Sequence, residues 1–171
     1  DHSRSVEYLG YLLREIAMVA PEMGSERHVS QLHLGGGTPT FFTLEELGRL
    51  TDTLRHYFDF AVNAELGVEI DPRTVTADTL SRLASLGFNR TSFGVQDFDP
   101  AVQQAVNRIQ PLDMVERALQ ASRDAGFESI NVDLIYGLPR QSVASFDRTL
   151  DEVVRLAPDR IALYNYAHLP S

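Results

Sequence analysis

The chain alternates short apolar segments with longer amphipathic ones, and this alternation constrains its fold more than any other feature. Leucines at helical spacing fill the longer segments, the first of which covers residues 6–19 and is expected to end at Pro21. Strands that alternate with helices form a parallel sheet joined by right-handed crossovers. We therefore predict one α/β domain over residues 1–171, with strands at 29–34, 64–70, 90–95, 129–135 and 160–166.

Local signals predict where the helices begin and end. Thr43, Thr76 and Ser142 precede helical patterns and are suitable N-cap residues, because their hydroxyls accept hydrogen bonds from backbone N–H groups of the first turn. Gly87 and Gly126 are expected to end two of the helices. The segment 129–135 is nearly all apolar, which predicts a strand buried on both faces.

Polar or glycine-rich motifs follow all five predicted strands. In a barrel these strand ends meet at a single mouth, whereas a doubly wound sheet concentrates its polar residues at one switch point. The distribution therefore favours a barrel or partial barrel. The motifs are GGGT at 35–38, EIDP at 69–72, GVQD at 94–97, DLIYG at 133–137 and NYAH at 165–168.

Three consecutive glycines, Gly35, Gly36 and Gly37, lie at the end of the first predicted strand. Because they have no β-carbons, a ligand can lie directly against the backbone N–H and C=O groups there. Pro39 prevents the strand from continuing and favours an extended Thr38. A flexible turn between strand and helix is the alternative interpretation of the glycines taken alone.

Four side chains are expected around the mouth: Glu69, Gln96, Arg108 and Asp133. Carboxylate and amide groups suit ribose hydroxyls or an ammonium group, and the planar guanidinium of an arginine suits a carboxylate. A surface ion pair is the structural alternative for Arg108. Their common placement at strand ends indicates a site for a ligand with zwitterionic and sugar parts.

Three further polar residues have two interpretations each. Asp71 shares a strand face with Glu69, as an acid–base pair requires, but we prefer a ligand-binding Glu69 followed by a turn residue. Asp97 is compatible with a helix cap or turn. His33 fits either the core or a ligand, and we prefer a structural histidine, since the five histidines match no metal-binding spacing.

The composition excludes several classes of function. A net charge of −9 and a pI of about 4.9 argue against binding nucleic acid through bulk charge. The chain has no cysteine, so it contains neither a disulfide nor a thiolate-ligated metal, and all 15 basic residues are arginine, which excludes a catalytic lysine. No apolar run has the length of a membrane span and no signal peptide is evident, so we expect a cytoplasmic location.

Taken together, the motifs resemble those of the radical S-adenosylmethionine (radical SAM) enzymes of haem biosynthesis, and most of all the oxidase branch of that family. The resemblance runs in unbroken order from about residue 5 to the C-terminus. It rests on GGGTPT at 35–40, EIDPR at 69–73, GFNR at 87–90, GVQDF at 94–98, NR at 107–108, DLIYGLP at 133–139 and NYAHLP at 165–170.

The resemblance implies a partial (β/α)6 TIM-like barrel of the radical SAM type, of which this chain holds about five of the six parallel strands. It also implies two bound S-adenosylmethionine molecules and a [4Fe-4S] cluster. Gly36 and Glu69 match positions that contact the first S-adenosylmethionine. The positions assigned to the second are matched by Gly37, Thr38, Gln96, Arg108, Asp133 and Ala167.

The resemblance further implies that the full-length protein is a monomeric oxidoreductase supplied by an electron donor. It would convert coproporphyrinogen III to protoporphyrinogen IX through a 5′-deoxyadenosyl radical. The alternative is a haem-trafficking relative without oxidase activity. The family holds its cluster on three cysteines, and this chain has none. We therefore expect the central piece of a longer enzyme, inactive by itself, without the first barrel strand, the cluster-binding loop and the C-terminal domain.

Overall fold

The computed structural model describes residues 3–167, which form a five-stranded parallel sheet in the order β1-β2-β3-β4-β5. The strands are β1 (His28–Leu34), β2 (Asp59–Ile70), β3 (Arg90–Gln96), β4 (Ser129–Tyr136) and β5 (Arg160–Asn165). The helices are α1 (Ser3–Glu22), α2 (Leu44–Tyr57), α3 (Ala77–Ser85), α4 (Pro100–Ala105), α5 (Leu112–Asp124) and α6 (Val143–Leu156), with a 3-10 turn at Pro39–Phe41.

The sheet is curled into a half-barrel. Crossovers of one hand between successive strands place the helices on the same, convex side. A flat sheet would hold β2 and β5 about 14 Å apart, but Arg160 Nη2 of β5 donates to Glu65 Oε2 of β2 at 2.9 Å. This contact across the concave side, together with the single cavity that both Thr38 and Tyr164 line, is a feature of a curled sheet. The prediction of an α/β partial barrel is therefore confirmed.

The two faces of the sheet differ in polarity because apolar and polar residues alternate along the strands. On the convex face, Leu66, Val68, Phe93 and Val132 are buried in the core between sheet and helices. The concave face carries mostly polar residues. The expectation that β4 is apolar and buried on both faces is wrong for this side, where Asp133 is only partly buried.

The predicted N-caps are confirmed. Thr43 and Glu46 form a capping box in which Thr43 Oγ1 accepts from the Glu46 N–H at 3.2 Å and Glu46 Oε2 accepts from the Thr43 N–H at 2.8 Å. Thr76 and Ser142 also accept from N–H groups of the first turns of α3 and α6. Since the loss of a cap costs about 1 kcal/mol, these three residues help to fix where each helix starts.

Four of the five strands differ from the predictions by one residue at one end, and two larger differences have an evident physical reason. Helix α1 continues through Pro21 and ends at Glu22, because the fixed φ of proline is compatible with a helix. Strand β2 begins at Asp59, where a register irregularity between Val29 and Gln31 of β1 accommodates extra residues of β2.

Residues 168–170 of the NYAHLP motif lie outside the described residues. Within 3–167, no helix combines the length and apolar character needed to cross a bilayer.

Candidate functional site

The carboxyl ends of the strands surround a cavity of about 290 Å³ on the concave side of the half-barrel. The loop after β1 contributes one wall, and β2, β3, β4 and β5 contribute the others. Six of the eight predicted site residues line this cavity: Gly37, Thr38, Glu69, Gln96, Arg108 and Asp133. The convergence expected for a barrel mouth is therefore present in the structure.

The other two predicted residues lie elsewhere. Gly36 lines a neighbouring cavity of about 440 Å³ between the glycine loop and α1, where Arg4 and Tyr8 form part of the wall. Ala167 follows β5, is exposed and does not line the main cavity. Gly37 and Thr38 border both cavities, so the loop backbone is accessible from two sides.

The glycine loop has the open backbone that its sequence predicts. Gly36 has a φ of +82°, a conformation that residues with a β-carbon rarely adopt. A β-carbon at Gly36 or Gly37 would meet no atom within 4 Å, so these two glycines border empty space. A ligand therefore has direct access to the backbone at both positions.

Glu69 is paired with His33 across the concave face. His33 Nε2 lies 3.2 Å from Glu69 Oε1, and the two side chains are 50% and 41% exposed. A β-carbon on Gly35 would lie 2.7 Å from Glu69 Oε1, and one on Gly67 would lie 2.9 Å from His33 Nδ1, so both glycines make room for the pair. His33 is therefore a half-exposed histidine paired with Glu69 rather than a residue of the core, and the preference for a structural histidine over a ligand stays a prediction.

Asp133 is held in place by neutral hydrogen-bond donors. Ser92 Oγ donates to Asp133 Oδ2 at 2.9 Å, and Asn131 Nδ2 donates to Asp133 Oδ1 at 2.7 Å. Burial is the largest influence on this carboxyl and raises its pKa; the two hydrogen bonds oppose the rise, and the charge of Glu69 adds to it. Among the residues that the structure describes, Asp133 is thus a carboxyl group that neutral donors orient, and the charge of Arg90 acts on it without a hydrogen bond.

Arg108 extends across the end of β3 and is partly buried. Its Nη2 donates to the Gly94 carbonyl at 2.9 Å and lies 3.7 Å from Asp71 Oδ2. Burial lowers the pKa of Arg108, and the negative charge of Asp71 acts in the opposite direction. Arg108 therefore forms a loose ion pair inside the cavity rather than on the outer surface.

Asp71 has the turn role that we preferred for it. Burial opposes its ionisation, but hydrogen bonds from Arg73 and the charge of Arg108 outweigh burial and lower its pKa. Arg73 Nη2 donates to Asp71 Oδ2 at 2.6 Å, and the Arg73 N–H donates to Oδ1 at 3.0 Å. Because Asp71 is satisfied within this turn after β2, it does not form an acid–base pair with Glu69.

Gln96 occupies the end of β3 with an unusual backbone and an incomplete set of partners. Its φ is 70°, and its buried Oε1 accepts no hydrogen bond within the described residues. A β-carbon on Gly94 would lie 3.1 Å from both Gln96 Nε2 and Arg108 Nη2, so glycine at this position leaves space for both side chains. An orphaned buried acceptor beside a cavity is a feature that a hydrogen-bonding ligand would explain.

The sequence predictions missed Tyr164, which lines the cavity on β5, and the two residues that hold Asp133, Ser92 and Asn131. The two-residue period of β3 and β4 puts Ser92 and Asn131 on the concave face just below the mouth, and that period is visible in the sequence.

Among residues 3–167 there is no group of three or more histidines, cysteines or acidic residues able to hold a metal ion. The arrangement is instead suited to a polar organic ligand with ammonium, hydroxyl and carboxylate groups.

Comparison with known proteins identifies close relatives. The chain is 48% identical to the oxygen-independent coproporphyrinogen III oxidase of Helicobacter pylori over 98% of its length, and 48% identical to that of Escherichia coli over 96%. These alignments cover only 37% and 36% of the relatives, so the chain spans little more than a third of their length.

Solved structures show the same relationship. Coproporphyrinogen III oxidase (HemN) from E. coli superimposes with a TM-score of 0.94 at 47% identity, over 99% of this chain and 39% of that one. Methylornithine synthase (PylB) has a TM-score of 0.67 at 13% identity over 90% of this chain and 44% of that one, and it shares the fold alone. The sequence profile of the radical SAM superfamily matches residues 5–153. With most of its length matched, the chain belongs to the radical SAM superfamily.

Proposed function

We propose that the full-length protein catalyses the oxygen-independent oxidative decarboxylation of coproporphyrinogen III to protoporphyrinogen IX. The observation that carries this proposal is the TM-score of 0.94 at 47% identity, over 99% of this chain, with the E. coli oxidase. The cavity supports it, because its polar lining sits at the carboxyl ends of the strands, where barrel enzymes place their sites.

Membership of the superfamily implies S-adenosylmethionine and a [4Fe-4S] cluster as cofactors. The cluster does not fit this chain, which has no cysteine, and we propose that its ligands belong to the rest of the full-length protein. S-adenosylmethionine fits, since the cavity offers an open glycine backbone, the carboxyl groups of Glu69 and Asp133, and the orphaned Gln96 Oε1. Bound S-adenosylmethionine would supply the precursor of a radical, and this chain's residues would hold and orient it.

The site residues divide between two proposed S-adenosylmethionine molecules. Gly36 and Glu69 would hold the first, through backbone groups and through a carboxylate suited to an ammonium group. The second would be held by Gly37, Thr38, Gln96, Arg108, Asp133 and Ala167. The exposed position of Ala167 adds no structural support, so its assignment rests on the motif alone.

Each side chain has a chemical role that its surroundings permit. Asp133, fixed by Ser92 and Asn131, is oriented to accept hydrogen bonds from hydroxyl or ammonium groups. The Arg108 guanidinium uses Nη2 on the Gly94 carbonyl and presents its remaining N–H groups to a carboxylate, either of the second S-adenosylmethionine or of a substrate propionate. The chain's contribution is thus to bind and orient its ligands and to exclude water around them.

An anaerobic assay of the full-length protein with coproporphyrinogen III, S-adenosylmethionine and a reductant tests the proposal. We expect protoporphyrin fluorescence after oxidation of the product. Asp133→Asn should reduce turnover by at least about tenfold, because a neutral amide loses the charge-assisted bond. Asp124→Asn, on the exposed side of α5, is the matched control and should retain wild-type turnover. Tight haem binding without decarboxylation would contradict the oxidase function and support a haem-trafficking protein.

A further inference from the structure

Strand β3 ends in an unusual turn whose central residue, Gln96, lines the cavity. Its φ of 70° is in the left-handed region, and the Asp97 N–H donates to the Val95 carbonyl at 2.9 Å. These two features define a γ-turn of the rare type with positive φ. The register of β3 against β4 also shifts here, between Gly94 and Gln96. A residue with a β-carbon keeps such a conformation only where its surroundings hold it.

A fully buried amide holds the backbone just before this turn. Gln110, which is 0% exposed, donates from Nε2 to the Val95 carbonyl at 2.6 Å and to the Gly94 carbonyl at 3.2 Å. The bulge interrupts the regular ladder between β3 and β4, so a side-chain donor takes over part of the strand's hydrogen bonding. Both N–H groups of this amide are therefore committed to the two carbonyls that precede Gln96.

A second buried amide fixes Gln110 and the far side of the turn. Gln103 Nε2 donates to the carbonyls of Asp97 at 2.9 Å and Gln110 at 2.8 Å, and its Oε1 accepts from the Gln110 N–H at 2.9 Å. The buried carboxylate of Asp97 accepts from Thr149 Oγ1 at 2.8 Å and from Gln141 Nε2 at 2.5 Å. The turn is therefore held on both sides of Gln96 by side chains that do not line the cavity.

We infer that Gln110 is a positioning residue that holds Gln96 in its γ-turn, so that the Gln96 amide faces the ligand in the cavity. The inference rests on the proposed function, since it takes S-adenosylmethionine as that ligand. Gln110 does not line the cavity, and its side chain reaches the site only through the backbone of Gly94 and Val95. Its effect on binding must therefore pass through this backbone, which leads into the turn and whose Gly94 carbonyl also accepts from Arg108 Nη2.

A double-mutant cycle on the anaerobically reconstituted full-length protein tests this inference, with equilibrium binding of S-adenosylmethionine as the readout. Gln110→Met keeps the side-chain volume but removes both donors. We expect about tenfold weaker binding, because fewer molecules hold the binding-competent turn. Gln96→Gly weakens binding by deleting the amide itself. The double variant should bind no more weakly than Gln96→Gly, since Gln110 then has no side chain left to position.

Asn89 provides a matched control for the structural cost. Its Oδ1 accepts from the Leu66 N–H at 2.8 Å, and its Nδ2 donates to the Ala64 carbonyl at 3.0 Å. It thus bridges backbone groups as Gln110 does, but at the opposite end of the sheet, just before β3. Asn89→Leu should lower the melting temperature, as Gln110→Met does, while leaving the affinity for S-adenosylmethionine unchanged.

The outcomes separate the inference from the proposed function. Unchanged affinity in Gln110→Met, or losses that add in the double variant, would overturn the positioning role and leave the proposed function intact. A wild-type protein that binds no S-adenosylmethionine would overturn both. If Gln110→Met does not fold, Gln110→Asn keeps the amide but is one methylene shorter, and it goes through the same cycle under the same criteria.

Discussion

The two ends of the half-barrel carry acidic residues on the same concave face but surround them differently. At the amino end, Glu65 accepts hydrogen bonds from Arg90 Nη1 at 2.6 Å and from Arg160 Nη2 at 2.9 Å. Hydrogen bonds from Arg90 and then Arg160 hold the pKa of Glu65 below its usual value. At the carboxyl end, the hydrogen bonds that Asp133 accepts within residues 3–167 come from the neutral donors Ser92 and Asn131, and burial raises its pKa although the charge of Arg90 acts in the opposite direction.

This difference separates a structural end of the barrel from a binding end. A carboxylate that already faces two guanidinium groups has little capacity left for another partner. A carboxyl group that neutral donors orient but do not neutralise gains more from a cationic or hydroxyl-bearing ligand. The cavity lies at the second end, beside Asp133 and Glu69, and the ion pairs that join β2 to β3 and to β5 lie at the first.

The largest effect should come from closing the binding end at the glycine loop. Gly37→Val introduces a branched side chain where a β-carbon meets no protein atom, so the fold should tolerate it while the ligand's space is filled. We expect loss of detectable S-adenosylmethionine binding in the full-length protein by calorimetry. Gly37 is a cleaner target than Gly36, whose φ of +82° would strain any side chain.

A matched glycine makes this prediction specific. Gly10, inside α1, also has no atom within 4 Å of an added β-carbon, and Gly10→Ala should leave binding unchanged and slightly stabilise the helix. Wild-type affinity in Gly37→Val would mean that the glycines form only a turn between strand and helix.

The next effect concerns the geometry of the positive charge at the binding end. Arg108→Lys keeps the charge but loses the planar fork and the bond from Nη2 to the Gly94 carbonyl. We expect a loss of about 1.5–3 kcal/mol in the free energy of transition-state stabilisation, measured as kcat/KM in the anaerobic assay. Arg117→Lys, on the exposed face of α5, is the control. Equal activity in both variants would mean that Arg108 forms only a structural ion pair.

The architecture and most of the site follow from patterns visible in the sequence. Alternating strands and helices predict the parallel sheet, and hydroxyl residues before helical patterns predict the caps at Thr43, Thr76 and Ser142. Polar residues at strand ends predict which side chains meet, because parallel strands bring their carboxyl ends to one edge. Glu69, Gln96, Arg108 and Asp133 therefore line one cavity as expected.

What sequence patterns miss here depends on tertiary contacts. The sequence leaves His33 open between the core and a ligand, and the room that Gly35 and Gly67 leave for it beside Glu69 is visible only in the structure. The γ-turn at Gln96 requires a positive φ, which an ordinary glutamine does not signal, and the buried amide that holds it lies farther along the chain at Gln110. Such features arise from the packing of distant segments rather than from local propensity.

The smallest effect should come from the structural end and should leave binding untouched. Glu65→Gln removes the charge that attracts Arg90 and Arg160, and we expect about 1 kcal/mol less stability at neutral pH, because the group is only partly buried. Unfolding by urea measures this loss, and S-adenosylmethionine affinity should equal that of the wild type. Glu152→Gln, whose exposed partner is Arg155, should change neither quantity.

The same variant also has a predictable dependence on pH. Because the pKa of Glu65 is lower in the folded state than its ordinary value of 4.5, its contribution is fully present above that value and is lost as the pH falls through the folded-state pKa. The stability gap between wild type and Glu65→Gln should therefore be widest at neutral pH and narrow in acid below pH about 4. A gap that stays constant would show that the two ion pairs contribute nothing to folding. The arginines around Glu65 would then stabilise its charge no more than the neutral donors stabilise that of Asp133.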